Sequence, residues 1–126
     1  MSPTLSSILL YTRKTDEMAA FYCNHFGYTR HDLPGDRIVE LRPAAGGAVL
    51  LLHPASKGIR QGQAAVKLVF TIRDVPAFVA ECAKRGLEFG ALHKADGYVF
   101  ANAKDPSGNS VSISGRLAIR DAPPDA

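Results

Sequence analysis

VKLVFTIRDVPAFVAECAKRG, residues 66–86, decides the fold. VKLVFTI reads as a strand from Val66 to Ile72. Leu68, Phe70 and Ile72 form one apolar face, and Lys67, Val69 and Thr71 form the other, because strand side chains alternate. Asp74 is a good helix N-cap, and Pro76 falls in the first turn, where its missing N–H costs little. Val75, Phe78, Val79 and Cys82 follow the i, i+3, i+4, i+7 spacing of an amphipathic helix, which Gly86 ends.

The same order occurs upstream. SSILLY (Ser6 to Tyr11) reads as a strand, and Thr15 or Asp16 can cap a helix that runs to about Phe26 and closes at Gly27. Ala19, Tyr22, Cys23 and Phe26 form its apolar face. A shift of 59 residues matches Tyr11 with Phe70, Thr12 with Thr71, Cys23 with Cys82 and Gly27 with Gly86. Strand, cap, helix and terminal glycine coincide, which points to an internal repeat.

Three strand candidates follow each helix. They are Tyr28 to Asp32, Arg37 to Arg42 and Ala48 to His53 in the first half. In the second they are Leu87 to Leu92, Tyr98 to Ala103 and Asn109 to Ser114. Gly- and Pro-punctuated turns separate them, including LPGD, PAAGG and DPSG. In DPSGNSVSIS, Val111 and Ile113 alternate with Ser110, Ser112 and Ser114, so the serines share one strand face. Each half is therefore β-α-β-β-β. The chain is expected to form a single domain over residues 1–126. Its parts are a first module at about 5–53, a linker at about 54–64, a second module at about 65–116 and a Pro-rich, frayed tail at 117–126.

Bulk properties narrow the function. The chain has 126 residues, 46% hydrophobic and 21% charged, with a formal net charge of +3. One ordinary globular domain of this size can bury a core without disulfides or metals. Its Lys and Arg residues are scattered, and no basic stripe interleaves with aromatics, which argues against nucleic-acid binding. No apolar run approaches the ~20 residues of a membrane span, and the N-terminus lacks the charged region of a signal peptide. A cytoplasmic protein is expected. Cys23 and Cys82 read as unpaired, buried thiols rather than nucleophiles.

SSILLYTRKTDEMAAFYCNHFGY, KLVFTIRDVPAFVAECAKRGLEF and GYVFANAKDPSGNSVSIS together resemble the vicinal oxygen chelate superfamily. This group includes glyoxalases, extradiol dioxygenases, fosfomycin resistance enzymes and bleomycin resistance proteins. AAFYCNHFG is similar to the family's first helix, and DPSGN resembles its Asp-Pro-Asp-Gly-Asn turn. The resemblance covers about residues 5–116. It implies an α+β fold of two βαβββ modules, whose curled mixed sheets enclose a cavity with helices outside. It also implies a homodimer.

Many members hold a divalent metal on four strand positions, which the resemblance maps onto Ser7, Leu51, Lys67 and Ser112. None is His, Glu, Asp or Cys, and protonated Lys repels cations. A one-residue slip restores nothing. His53, His93 and Glu40 are the remaining candidates for a displaced metal site. No catalytic residue, metal ligand or cofactor is therefore assigned.

A ligand site is assigned instead to Ser7, Leu9, Tyr11, Leu51, His53, Lys67, Val69, Tyr98, Phe100, Ser112 and Ser114. Lys67 has three readings: it snorkels to solvent, pairs with an acidic ligand group, or acts as a base with a lowered pKa. The expected function is metal-independent binding of a small organic ligand, acidic or aromatic in character, as in the drug-sequestering bleomycin resistance branch. The alternative is a glyoxalase- or dioxygenase-like enzyme with a non-standard metal or acid–base site. Neither nucleic acid nor membrane is an expected partner.

Overall fold

A computed structural model describes residues 3–120. The element order is β1 (Ser7–Thr12), α1 (Thr15–Phe26), β2 (Tyr28–His31), β3 (Val39–Pro43), β4 (Val49–Pro54), β5 (Lys67–Thr71), α2 (Val75–Lys84), β6 (His93–Lys94), β7 (Val99–Lys104), β8 (Ser110–Ser114) and α3 (Arg116–Arg120). The chain adopts the α+β class with two βαβββ modules. Sheet 1 has strand order β1-β4-β3-β2, and sheet 2 has order β5-β8-β7-β6. Each sheet is mixed. The first strand of each module lies parallel to the last, and the remaining pairs are antiparallel. Neither sheet closes on itself. Two compact units result; among the described residues, one takes residues 3–63 with 106–108 and the other residues 64–105 with 109–120.

In the first unit, α1 covers sheet 1 with Met18, Ala19, Phe21 and Tyr22, while Leu41, Leu50 and Leu52 rise from the strands. Tyr22 packs against Phe21, Phe26 and Tyr28 with ring centroids 5.0–6.1 Å apart. Such tilted and edge-on contacts suit the aromatic quadrupole. The buried face is rotated from the expected one. Met18 and Phe21 are buried, whereas Cys23 and Phe26 are half-buried. His25 is half-buried beside Phe21.

The α1 cap also differs from expectation. Lys14 is the N-cap residue and no side chain caps the helix; Thr15 and Asp16 already lie inside it. Thr12 Oγ1 accepts from the Lys14 N–H at 2.9 Å, so the preceding strand organises the entry. Gly27 ends α1 at φ 71°, and its N–H donates to the Tyr22 carbonyl. That left-handed conformation strains any residue with a Cβ.

The expected linker is ordered by a residue outside it. Arg13 donates its guanidinium protons to the carbonyls of Ser56, Lys57 and Ile59 at 3.0–3.2 Å. Its backbone N–H donates to Gln61 Oε1, which also accepts from Ser107 Oγ, both at 2.9 Å. The Ser107 hydroxyl lies 2.6 Å from that of Thr12, which is fully buried. Gly62 passes so close to Gly108 that a Cβ there would meet its carbonyl oxygen at 3.0 Å.

In the second unit, Leu68, Ala101, Val111 and Ile113 form the buried side of sheet 2, with Val75 and Cys82 from α2. Asp74 caps α2 by accepting from the Ala77 N–H at 3.1 Å. The strand expected over Leu87 to Leu92 does not form; a two-residue strand, His93–Lys94, takes its place. Gly90 N–H still donates to Asn102 at 2.9 Å, but this is one isolated bond outside the ladder. The expected tail begins inside α3, where Ala118 is buried and Leu117 and Ile119 are exposed. Residues 121–126 lie outside the described residues.

Residues 105–109 form a bonded turn. Asp105 accepts from the Asn109 N–H and from Asn109 Nδ2, each at 2.9 Å. Pro106 pre-sets the turn dihedral, and Gly108 takes φ 88°. The DPSGN motif is thus closed by its own first and last side chains.

The repeat differs in detail from the 59-residue match. Ser7 and Lys67, which begin β1 and β5, are 60 residues apart. A slip of one residue moves every strand side chain to the opposite face. Tyr11 is exposed beside Ser7 and Leu9, whereas Phe70 shares the face of buried Leu68. The strand matches of Tyr11 with Phe70 and Thr12 with Thr71 therefore join residues on opposite faces.

Candidate functional site

Each sheet has one helix-covered face and one open face, and register settles which residues share them. In sheet 1, Ser7 lies opposite Val49, Leu9 opposite Leu51, and Tyr11 opposite His53; Leu51 also faces Glu40. All five expected site residues of the first unit, Ser7, Leu9, Tyr11, Leu51 and His53, therefore stand on its open face. Tyr11 and His53 meet edge to face, with centroids 5.3 Å apart. His53 Nδ1 lies 2.8 Å from the Pro54 carbonyl, which can only accept, so that nitrogen carries the proton. Glu40, whose facing the sequence leaves open, is on this face too. Its carboxylate accepts from Arg42 Nε at 2.5 Å.

The open face of sheet 2 carries Lys67, Val69 and Thr71 on β5, opposite Ser110, Ser112 and Ser114 on β8. Those serines lie opposite Lys104, Asn102 and Phe100 on β7, and Phe100 lies opposite His93 on β6. Thus Lys67, Val69, Phe100, Ser112 and Ser114 are brought together. Tyr98 stands just before β7, with its ring 6.3 Å from that of Phe100.

The chemistry of this face is specific. Lys67 Nζ donates to Asn102 Oδ1 at 3.0 Å and sits 5.9 Å from the Phe100 centroid. The Phe100 ring stacks with His93 at 5.0 Å and an interplanar angle of 28°. Lys104 Nζ donates to Ser110 Oγ at 2.9 Å. Ser112 is buried and donates its hydroxyl proton to the Ala101 carbonyl at 3.0 Å. Ser114 Oγ accepts from the Arg116 N–H at 3.1 Å. The serine row is therefore tied into the chain itself. A hydroxyl that donates to backbone keeps an acceptor lone pair but is a poor metal ligand.

Beyond Tyr98 is a cavity of about 170 Å³, lined by Asp96, Gly97, Tyr98, Arg116 and Ile119. Arg116 donates to the Tyr98 hydroxyl at 3.2 Å and lies over that ring, 5.6 Å from its centroid. Ligand pockets usually measure roughly 300–1,000 Å³, so this cleft is small by comparison.

Among the described residues, no group of three or more His, Cys, Asp or Glu side chains is placed to hold a metal ion. The donor set at Ser7, Leu51, Lys67 and Ser112 does not fit the metal that the fold family implies. Burial pushes the thiols of Cys23 and Cys82 above their ordinary range, against a nucleophilic role.

Sequence reasoning missed Asn102, His93 and Lys104 as members of the open face, and Arg116 beside Tyr98. Asn102 and Lys104 have the parity of Phe100 and were legible in YVFANAK. The position of His93 depends on a two-residue strand, and that of Arg116 on an unforeseen helix.

The chain matches the model of the Glyoxalase/Bleomycin resistance protein/Dioxygenase superfamily over residues 4–113. It belongs to that superfamily. No curated protein matches it by sequence. Solved structures of similar fold include TnmS3, an antibiotic binding protein from Streptomyces sp. CB03234. TnmS3 is 19% identical with TM-score 0.74, over 89% of this chain and 94% of that one. UcmS2 is 19% identical with TM-score 0.75, over 91% and 99%. A lactoylglutathione lyase from Agrobacterium tumefaciens is 21% identical with TM-score 0.70, over 93% and 97%. At these identities the likeness concerns the fold. Among the described residues, no helix is long and apolar enough to cross a membrane.

Proposed function

We propose that this member of the superfamily is a metal-independent binding protein that sequesters a small organic molecule. The carrying observation is the chemistry at the four strand positions where the family resemblance places metal ligands. Ser7 and Leu51 supply no ligating charge, the Lys67 ammonium donates to Asn102, and the Ser112 hydroxyl donates to Ala101. Each open face, taken by itself, also carries aromatic and polar side chains, Tyr11 and His53 on sheet 1 and Phe100 and Asn102 on sheet 2, which suits an aromatic or acidic organic ligand. The antibiotic-binding role of TnmS3 supports drug sequestration as the biological setting. A homodimer belongs to the same proposal, because Leu9, Tyr11 and Val69 leave apolar area on the open faces. Two free thiols accord with a cytoplasmic location.

Thermal denaturation with Zn, Ni, Mn or Fe salts, alongside a panel of aromatic drugs and small acids, tests the reading. Stabilisation by organic ligands and none by metals is expected. A stoichiometric metal that raised the melting temperature would overturn it in favour of a metal-dependent lyase or oxygenase. Light scattering on an eluting column peak checks the dimer, and a monomer at micromolar concentration would remove that part.

A further inference from the structure

We infer that the open face of sheet 2 selects a planar aromatic anion and disfavours cations. This rests on the small-molecule-binding reading and adds the charge and shape of the ligand. None of the strand positions on that face is Asp or Glu. Two ammonium groups stand on it, and each has a neutral partner: Asn102 for Lys67, Ser110 for Lys104. Among the described residues, neither lysine forms an ion pair. The nearest carboxylate along β7, Asp105, already accepts two bonds from Asn109.

An ammonium has three protons to donate. A ligand oxyanion at Lys67 would add a charge-assisted hydrogen bond to a partly filled site, and such bonds exceed neutral ones in strength. A ligand cation would instead meet two like charges with no counter-ion on the face.

Shape follows from the aromatic pair. His93 and Phe100 stack across the strands, with an interplanar angle of 28°, so they form an aromatic wall beside Lys67. Lys67 Nζ lies 5.9 Å from the Phe100 centroid, close enough to meet an acidic group on a ring that packs against the exposed edge of that pair. The complementary ligand is therefore a flat ring system bearing a carboxylate or a phosphate. The counterpart face of sheet 1 lacks this character, because its Arg42 is already paired with Glu40.

The test measures calorimetric affinity of the full chain for 2-naphthoate, 2-naphthyl phosphate, 2-naphthamide and 2-naphthylmethylammonium. At least one anion should bind about tenfold tighter than the amide, as one charge-assisted bond allows, with the cation weakest. Comparing the two anions separates a carboxylate from a phosphate ligand. Lys67→Gln should abolish most of the anion preference while sparing amide binding. Phe100→Ala should weaken anions and amide alike. Lys84→Gln, on α2, should change neither, and circular dichroism checks that each variant is folded. Equal binding of amide and anions, tighter binding of the cation, no binding of either anion, or an undiminished anion preference in Lys67→Gln would each overturn the inference. If neutral or cationic compounds still bound, the sequestration reading would survive that result. If nothing in the wider drug panel bound, both would fall.

Discussion

The two modules share one order of elements but differ in how deeply their helices are packed. α1 has twelve residues and buries Met18, Ala19, Phe21 and Tyr22; α2 has ten and buries only Val75 and Cys82, with Phe78 and Val79 half exposed. The strand after α1 has four residues, and the strand after α2 has two. A repeated topology therefore does not imply a repeated core. Pattern and caps are enough to set the order of elements, whereas stability depends on which side chains fill the space beneath each helix. Each fully buried large apolar side chain stabilises by roughly 1.5–3 kcal/mol, so the first module should be the firmer one.

The sharpest test of that difference is a pair of truncations. Tyr22 is fully buried, and Tyr22→Ala should cost about 3–5 kcal/mol, since it leaves a cavity the size of an aromatic ring. Phe78→Ala should cost about 1–2 kcal/mol, because that side chain is only half-buried. Urea unfolding at constant m-value measures both. Equal losses would show that α2 is as deeply anchored as α1 and would end the comparison.

The second test uses the threonines that close the first strand of each module. Thr12 is fully buried, lies 2.6 Å from Ser107 Oγ and accepts from the Lys14 N–H. Thr71 is exposed on the open face of sheet 2. Thr12→Val keeps the shape but removes both hydrogen bonds, and should cost about 1–3 kcal/mol. Thr71→Val should change stability by no more than about 0.5 kcal/mol. Denaturant midpoints for the pair check this, and a neutral Thr12→Val would mean the hydroxyl network at Gln61 and Ser107 contributes nothing net.

These threonines also mark the limit of the sequence reading. The order of elements within the two modules was legible because most strands and both long helices carry their own period and punctuation, as at Asp74, Gly27 and Pro106; the short β6 and α3 were not. The open faces were legible from parity alone, so Ser7, Leu9 and Tyr11 were grouped correctly, as were Lys67 and Val69. The 59-residue match was misleading because identities at Cys23 and Gly27 came from the helices, while the strands correspond at 60. Hydrogen bonds between residues far apart in sequence were not legible. No local pattern says that Ser112 donates across to Ala101, or that Arg13 reaches three carbonyls of the linker. Both depend on residues brought together by tertiary structure.

A smaller effect separates the two helix starts. Asp74 accepts from the Ala77 N–H, whereas α1 has no side-chain cap. Asp74→Ala should cost about 1 kcal/mol, the usual value of a lost cap. Lys14→Ala should cost little by comparison, because Thr12 Oγ1 would still accept from the residue-14 N–H. Thermal midpoints of the two variants give the ordering, and a larger loss for Lys14→Ala would reverse the assignment of which helix depends on its cap.

The least of the expected differences lies between the two thiols, one late in each helix. Burial raises both above the ordinary thiol range, against the lowering influence of Arg30 on Cys23 and of Arg85 on Cys82. A raised folded value means the native state favours the protonated form. Its stabilising contribution is complete below the unfolded value of about 8.5 and is lost as pH rises towards the folded one. Stability should therefore decline on the alkaline side and should decline less in Cys82→Ala, once that variant's own packing loss at neutral pH is subtracted. Labelling with a disulfide reagent in native buffer gives an independent reading. Cys23 is half-buried and Cys82 only 3% exposed, so Cys23 should react first. If Cys82 reacted as fast, α2 would have to open as readily as Cys23 is exposed. The looser packing of the second module would then show up as motion as well as a shallower core.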